Sequence, residues 1–472
     1  MNKNNRFFDK GFLLLVLALL LCLSLFSCDD EGIPSDTQPS VTTKAPVTTE
    51  KPAYTQEDLD RVLSLVDQNK VIQVEVIFEY LYVGEFKTYE QIKEEVDAFI
   101  LENVLLDKVE TIDDATTVFL DSYLHVMGDK YACYYDPTAY DEYKEDLQGE
   151  YAGIGVEITL NEDRYIDVLS VFRDSPADRI GILPGDVLIA VNGEDIATIG
   201  YYETLSKVRG GIGTSVNLTI SRDGELLSFD VVREMVTEIT VEGELKNGYI
   251  GYVRISGFND KTYEQFVDEY KRLISEGARG FIFDMRNNPG GTLDSVIAIL
   301  EFILPDGPIV HLEYKDPTMN QSVSSIWEYR PIFPLLNKYY ENHEIELPMV
   351  VITNGRTASA GELFTSSLND YDVATLVGTK TYGKGVGQRG VALFDENGNA
   401  DGSIVNITYF HYAPPFSENY DGVGIYPDIL VELSEEAQKK NLHRLTEEED
   451  TQLKAAIEEL DRLLRIKNTI GK

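Results

Sequence analysis

Apolar positions along this chain fall into two rhythms, and the rhythm changes at definite places. In "QEDLDRVLSLVDQ", "TYEQIKEEVDAFILENVL" and "DDATTVFLDSYLHVM" they return every three or four residues, the repeat of one helix face. Residues 55–148 therefore read as a helical N-terminal region. From "GEYAGIGVEI" the rhythm shortens: "YIDVLSVF", "DVLIAVNG" and "SVNLTISRDGELLSFDVV" are short β-rich runs broken by Gly, Asn-Gly and Asp-Gly turns. With short helices at "SPADRIG" and "YYETLSKVRG", they make a β-rich unit over 149–236. Over 237–472 strands and helices alternate: "GYIGYVRI", then "YEQFVDEYKRLISEG", "GFIFDMR", "LDSVIAILEFIL", "PMVVITN", "AGELFTSSLND" and "VATLVGTK". That alternation predicts a layered α/β core closed by an amphipathic last helix, "EEEDTQLKAAIEELDRLLRI". Pro317–Pro348, which holds the one tryptophan, Trp327, reads as an irregular excursion. The expected class is a multidomain α/β (α+β) protein.

The N-terminus breaks both rhythms. Lys3, Arg6 and Lys10 precede "GFLLLVLALLLCLSLF", a run short of the about 20 residues that span a bilayer comfortably, and "SCDD" follows. This is an export signal over 1–27, and "LFSC" resembles the lipobox of bacterial lipoproteins, which implies Cys28 as a lipid-bearing mature N-terminus. An uncleaved signal anchor is the alternative, and either way the body is expected outside the cytoplasm, held at the bacterial membrane. Residues 28–54, rich in Pro, Thr and Ser, read as a flexible tether. Of three cysteines, Cys133 alone falls within the folded part, so no disulfide is expected within one chain.

Charge removes one class of partner. Against 81 acidic residues stand 41 basic ones, a net −40 with no basic stripe, so nucleic acid is not an expected partner. The five histidines lack metal-site spacing, and neither a P-loop nor a "GxSxG" elbow appears, so no metal or other cofactor is expected.

Two short stretches carry candidate chemistry. In "TASAGELF", Ser359 and Glu362 form a capping box at a helix start. In "TYGKGVGQ", Lys384 lies 25 residues beyond Ser359, bracketed by glycines, with Tyr382 placed to wall off water and Gln388 four residues on. Lysine activates a serine only after losing its proton, which requires a desolvated pocket. A glutamine can accept a hydrogen bond from such a lysine without adding charge.

Together these stretches resemble the catalytic segment of the C-terminal processing (tail-specific) peptidases, which use a Ser-Lys dyad. The resemblance implies Ser359 as nucleophile, Lys384 as general base and Gln388 as the residue that positions the lysine; Thr357 and Gly361 replace flanking serines of the family pattern. "DMRNNPGG" is similar to the family's D-L-R-x-N-P-G-G loop, which implies the amides of Gly290, Gly291 and Ala360 as an oxyanion hole. "GVGIYPDI" resembles a further motif near the end of the peptidase core. The β-rich unit resembles a PDZ domain, with Gly153, Ile154 and Gly155 as the candidate cradle for a substrate's terminal carboxylate. Arg209 stands where the family often has an arginine. Asp370, eleven residues after Ser359, reads as a structural acid.

The expectation is thus a serine endopeptidase that cuts extracytoplasmic proteins near unstructured C-termini. The rival is a catalytically silent tail-binding or scaffolding protein of the envelope. Homo-oligomerisation through the N-terminal helices, or a regulatory partner, stays open, as does gating of the site by the PDZ unit.

Overall fold

A computed structural model describes residues 54–161, 163–222, 224–316, 321–328, 345–438, 440, 442 and 445–470. The signal segment, Cys28 and nearly all of the tether lie outside them. The mixed α/β class is observed, built on a six-stranded sheet. Its order is β9 (Val241–Lys246), β10 (Ile250–Ile255), β11 (Gly280–Asp284), β14 (Met349–Thr353), β15 (Ala374–Gly378) and β18 (Ile429–Leu430). From β10 to β18 every neighbour is parallel, because each connection returns across a face of the sheet. Alternation along the strands explains their unbroken apolar runs. Phe281, Phe283, Met349 and Val351 pack under helices α8 (Thr262–Glu276), α9 (Leu293–Ile303) and α10 (Ala360–Asp370). Ile282, Val350, Ile352 and Val377 point the other way, onto Ala456 and Leu460 of the last helix, α11 (Thr451–Ile470).

A buried ion pair fixes that last helix. The Arg286 guanidinium bonds both Asp284, at the end of β11, and Asp450, whose carboxylate also caps the helix through Leu453 N at 3.0 Å.

The N-terminal region comprises α1 (Gln56–Leu63), α2 (Gln68–Leu81), α3 (Lys93–Asn103), α4 (Ile112–Met127) and α5 (Pro137–Gln148), with β1 (Cys133–Tyr135) before α5. Helix α2 escapes a periodicity reading because its β-branched stretch is apolar on most sides, most of its residues being buried in the core of this region. The region shares its core with the C-terminal half. Leu393, Val405 and Ile407, from the long hairpin β16 (Val386–Phe394) and β17 (Ala400–Ala413), pack among Val74, Phe78 and Leu120. Strand β1 pairs with β17, and Gln73 exchanges two hydrogen bonds with the backbone of Phe394. This hairpin, turned at "DENG", was not expected. Part of the expected excursion is also regular: β13 (Gln321–Glu328) pairs with β12 (Pro308–Asp316), and β12 joins β17 in the same antiparallel sheet.

The β-rich unit is an antiparallel sheet of β3 (Val156–Leu160), β4 (Ile166–Val171), β5 (Val187–Val191), β6 (Ser215–Arg222) and β7 (Glu225–Val232). Helices α6 (Pro176–Ile180) and α7 (Tyr201–Val208) pack with it. Its own core includes Val168, Leu188 and Leu218. A two-stranded ribbon, β2 (Glu150–Gly153) against β8 (Glu234–Thr237), joins it to the rest.

Asp294, in the first turn of α9, supplies a pH test. Burial, and next the charge of Asp260, pushes its carboxyl from 3.8 up to about 7, and its Oδ1 lacks a hydrogen-bond partner. A carboxyl raised in the folded state binds more protons folded than unfolded, so its contribution to stability falls as pH rises from about 4 to about 7. Asp294→Asn is expected to flatten that part of the stability-versus-pH curve, measured by denaturant unfolding, and to leave the variant the more stable protein at neutral pH.

Candidate active site

Three loops converge at the carboxyl ends of adjacent parallel strands, where open α/β sheets place their sites. The loop after β11 carries Asn287–Gly291, the loop after β14 carries Ser359, and the loop after β15 carries Lys384. Ser359 sits at the N-cap of α10 with φ 53° and ψ −122°. A non-glycine residue held there costs about 1–3 kcal/mol and persists only where its surroundings impose it. Here the flanking backbone is laced to the β11 loop. Ala358 N donates to Asn288 O at 2.9 Å, Thr357 Oγ1 donates to Met285 O at 2.8 Å, and the Asn354 side chain accepts from Asn287 N at 3.0 Å and donates to Asn287 Oδ1 at 2.8 Å. The turn from strand to helix is therefore sharp and sets Ser359 at its apex, where it is buried, although no "GxSxG" signature announces it.

The Glu362 carboxylate joins the two candidate residues. It is fully buried, and its Oε2 accepts from Ser359 N at 3.0 Å and from Lys384 N at 2.8 Å. Its Oε1 accepts from Gly383 N at 2.7 Å and from the Thr381 hydroxyl. Burial raises this carboxyl above its ordinary value, while the four donors act in the opposite direction. Capping of Ser359 is thus done by the glutamate, and Thr357 serves the neighbouring loop.

Lys384 is 5% exposed, with Nζ 4.2 Å from the centroid of the Tyr131 ring. The aromatic covering it comes from the N-terminal region; Tyr382, expected in that place, is 53% exposed. Backbone bonds pin the lysine loop: Tyr412 Oη donates to Lys384 O at 2.6 Å and Gly385 N donates to Asp421 at 3.0 Å. Gln388 is buried nearby on β16, and its Nε2 donates to Thr408 Oγ1 at 3.1 Å. Thr408 in turn gives both its N–H and its hydroxyl to Asp129, at 2.9 and 2.8 Å. Burial raises the Asp129 carboxyl, against hydrogen bonds from Thr408 and Tyr131 that lower it. Asp129 and Tyr131 lie far from the recognised motifs in sequence, and no pattern along the chain singles them out.

The glycine loop lies against the serine. A Cβ added at Gly290 (φ 113°) would fall 2.7 Å from Ser359 Cβ and 3.1 Å from both Ser359 Oγ and Ala360 N. The space kept open by this glycine thus faces a hydroxyl and the first amide of α10, which has no acceptor within its helix. Gly290's own N–H is directed elsewhere, to Asn288 Oδ1 at 2.8 Å. Gly291 runs strand-like beside Phe258, so close that a Cβ there would meet Phe258 O at 1.9 Å.

One cavity of about 370 Å³ links the β-rich unit to this loop. Gly153, Ile154, Phe172 and Arg209 line one side, and Phe258 and Gly290 the other. Gly155 (φ 80°) is turned against Ser175, whose hydroxyl donates to its carbonyl at 3.2 Å. The Arg209 guanidinium stacks on Tyr151, 4.7 Å from the ring centroid, and pairs with Asp146 at 2.8 Å. Asp370 lies in other company, accepting the amides of Phe416 and Ser417 at 2.7 and 2.8 Å. Among the described residues no group of three His, Cys, Asp or Glu side chains is arranged to hold a metal ion.

Glu362→Gln puts an NH2 group where an accepting oxygen stood, so at least one of its four donors loses its partner. An unpaired buried donor costs about 1–3 kcal/mol. Amide exchange at Gly383 and Lys384 is expected to quicken by about tenfold or more; unchanged protection would remove the carboxylate from its role as tie.

Comparison with known proteins follows the same division of the chain. The model of peptidase family S41 matches residues 249–431 and that of the PDZ domain residues 152–232. The carboxy-terminal-processing protease of Bartonella bacilliformis is 31% identical over 310 residues, which cover 64% of this chain and 67% of that protein. The carboxyl-terminal-processing protease of Synechocystis sp. is 29% identical over 326 residues, 68% of this chain and 71% of the relative. CtpA, a carboxy-terminal processing protease of Bacillus subtilis, is 28% identical over 354 residues, 75% and 69% of the two chains. With a PDZ domain ahead of its peptidase segment, the chain belongs to peptidase family S41, among the carboxy-terminal processing proteases.

Proposed function

We propose that this protein is a Ser-Lys endopeptidase that cuts extracytoplasmic proteins near their C-termini while anchored to the membrane through lipidated Cys28. The observation that carries the reading is the shared bond of Glu362 Oε2 to the backbone N–H groups of Ser359 and Lys384, which sets a strained serine beside a buried lysine. Ser359 Oγ attacks the scissile carbonyl and passes its proton to Lys384 Nζ. Negative charge develops on the carbonyl oxygen, and preorganised amides there are worth about 2.7–4 kcal/mol each. Ala360 and Gly291 are the donors, and Gly290 leaves them room while its own N–H holds Asn288. Lys384 then returns the proton to the leaving amine, and water releases the acyl group from Ser359 by the same exchange. Gln388 orients the lysine.

The cavity shared by Gly153, Ile154 and Gly290 supports tail-directed cutting. A terminal carboxylate held at the PDZ loop lies in the same cavity as Gly290, whose neighbour in space is Ser359, so an unstructured tail can run from one to the other. The silent tail-binding alternative keeps this cavity and dispenses with Ser359 and Lys384.

An unstructured peptide ending in a free carboxylate is expected to be cut by the parent chain, with both Ser359→Ala and Lys384→Ala at background. The same peptide with an amidated C-terminus is expected to be cut at least about tenfold more slowly at low concentration, since it loses the charge that the PDZ loop receives. Equal turnover by parent and both variants, followed by mass spectrometry of the products, would assign cleavage to other residues.

A further inference from the structure

The candidate base is served by a carboxylate that lies outside both motifs. Asp129 follows the end of α4 and is 3% exposed. Its Oδ1 accepts from Thr408 Oγ1 at 2.8 Å and from Tyr131 N at 3.1 Å, and its Oδ2 accepts from Thr408 N at 2.9 Å. Tyr131 carries the ring under Lys384 Nζ. Thr408 Oγ1 accepts from Gln388 Nε2 at 3.1 Å. Asp129 thus touches the lysine's surroundings in two places, at the backbone of the residue whose ring lies under Nζ and, through Thr408, at the amide of Gln388.

The geometry points to Asp129 as a positioning residue that fixes the polarity of the Gln388 amide, by way of Thr408; this rests on the reading of Lys384 as the base. An ionised carboxylate can only accept, so it takes the Thr408 hydroxyl proton. The threonine oxygen is then left with lone pairs, and Gln388 can meet it only through its NH2 group. With that end committed, Gln388 offers the lysine a carbonyl oxygen. Were the Thr408 proton turned the other way, Gln388 would turn its NH2 group to the lysine and could no longer accept a hydrogen bond from Nζ. All members of the chain are buried, so water does not compete for the choice. Tyr82 and Cys133 are further titratable groups that feel the Asp129 charge: burial first pushes the Tyr82 hydroxyl and the Cys133 thiol each up to about 12, so both stay neutral and do not alter the polarity.

Asp129→Asn tests this because it keeps shape and reverses polarity. With its NH2 in place of Oδ1 the asparagine donates to Thr408 Oγ1 and leaves the Tyr131 N–H without its acceptor, the hydroxyl proton turns to Gln388, and the amide flips. Thr408→Val cuts the relay, and Thr408→Ser keeps it. With the full chain and the free-carboxylate peptide, Asp129→Asn and Thr408→Val are each expected to lower kcat by at least about tenfold with KM within about twofold of the parent. The double variant is expected to lose no more than either single one, because both break the same chain, and Thr408→Ser is expected to restore most of the rate. An Asp129→Asn protein with parental kcat, losses that multiply in the double variant, or a loss confined to KM would each overturn the assignment. Should Asp129→Asn fail to fold, Thr408→Val against Thr408→Ser reads the same relay from the hairpin side. The outcome stays distinct from that of the dyad: Asp129→Asn at parental rate with Lys384→Ala at background refutes the relay alone, whereas an active Lys384→Ala protein refutes the base on which it rests.

Discussion

The site depends on one buried carboxylate. Glu362 accepts four hydrogen bonds from two loops that follow neighbouring strands, and it is enclosed too completely for water to take the place of any of them. A carboxylate in that position is costly to bury and worthwhile only when every lone pair is used. Satisfying it requires the serine turn, with its positive φ, and the glycine-bracketed lysine loop to be in place together. The strain at Ser359 and the burial of Lys384 are therefore two sides of one constraint, and neither loop can relax alone.

The surroundings of the lysine show how little of this chain is a separable accessory. The N-terminal helices share a hydrophobic core with the β16–β17 hairpin, and the segment after α4 sends Asp129 and Tyr131 toward Lys384. Packing of the N-terminal region and assembly of the candidate site are consequently coupled. A loss of apolar contact around α2 propagates to the hairpin that carries Gln388 and Thr408.

What could be read along the chain, and what could not, follows from how local the physical cause is. Helix starts such as Thr111 and Ser175, glycine turns and the apolar runs of β11 and β14 are governed by neighbours in sequence, so they are legible. The Ser359 and Lys384 motifs are legible through resemblance, because each sits in a compact string. Helix α2 was missed since burial on most sides erases the polar face that a periodicity reading needs. Tyr382 is the nearest aromatic to the lysine along the chain and is exposed, whereas Tyr131 covers the lysine from a distant segment. The Arg286–Asp450 pair and the Asp129–Thr408–Gln388 chain join residues more than a hundred positions apart in at least one step, and only the folded chain brings them together.

The two-stranded ribbon at the base of the PDZ unit has a further implication. Glu150 is paired with Thr237 and Gly153 with Glu234, so the polypeptide leaves and re-enters the larger body at adjacent points. To that body, the whole intervening unit is an oversized hairpin turn. Its internal sheet can be exchanged for another of comparable footprint without rerouting a single strand of the larger α/β layer, which makes the PDZ unit a cassette on a separate frame.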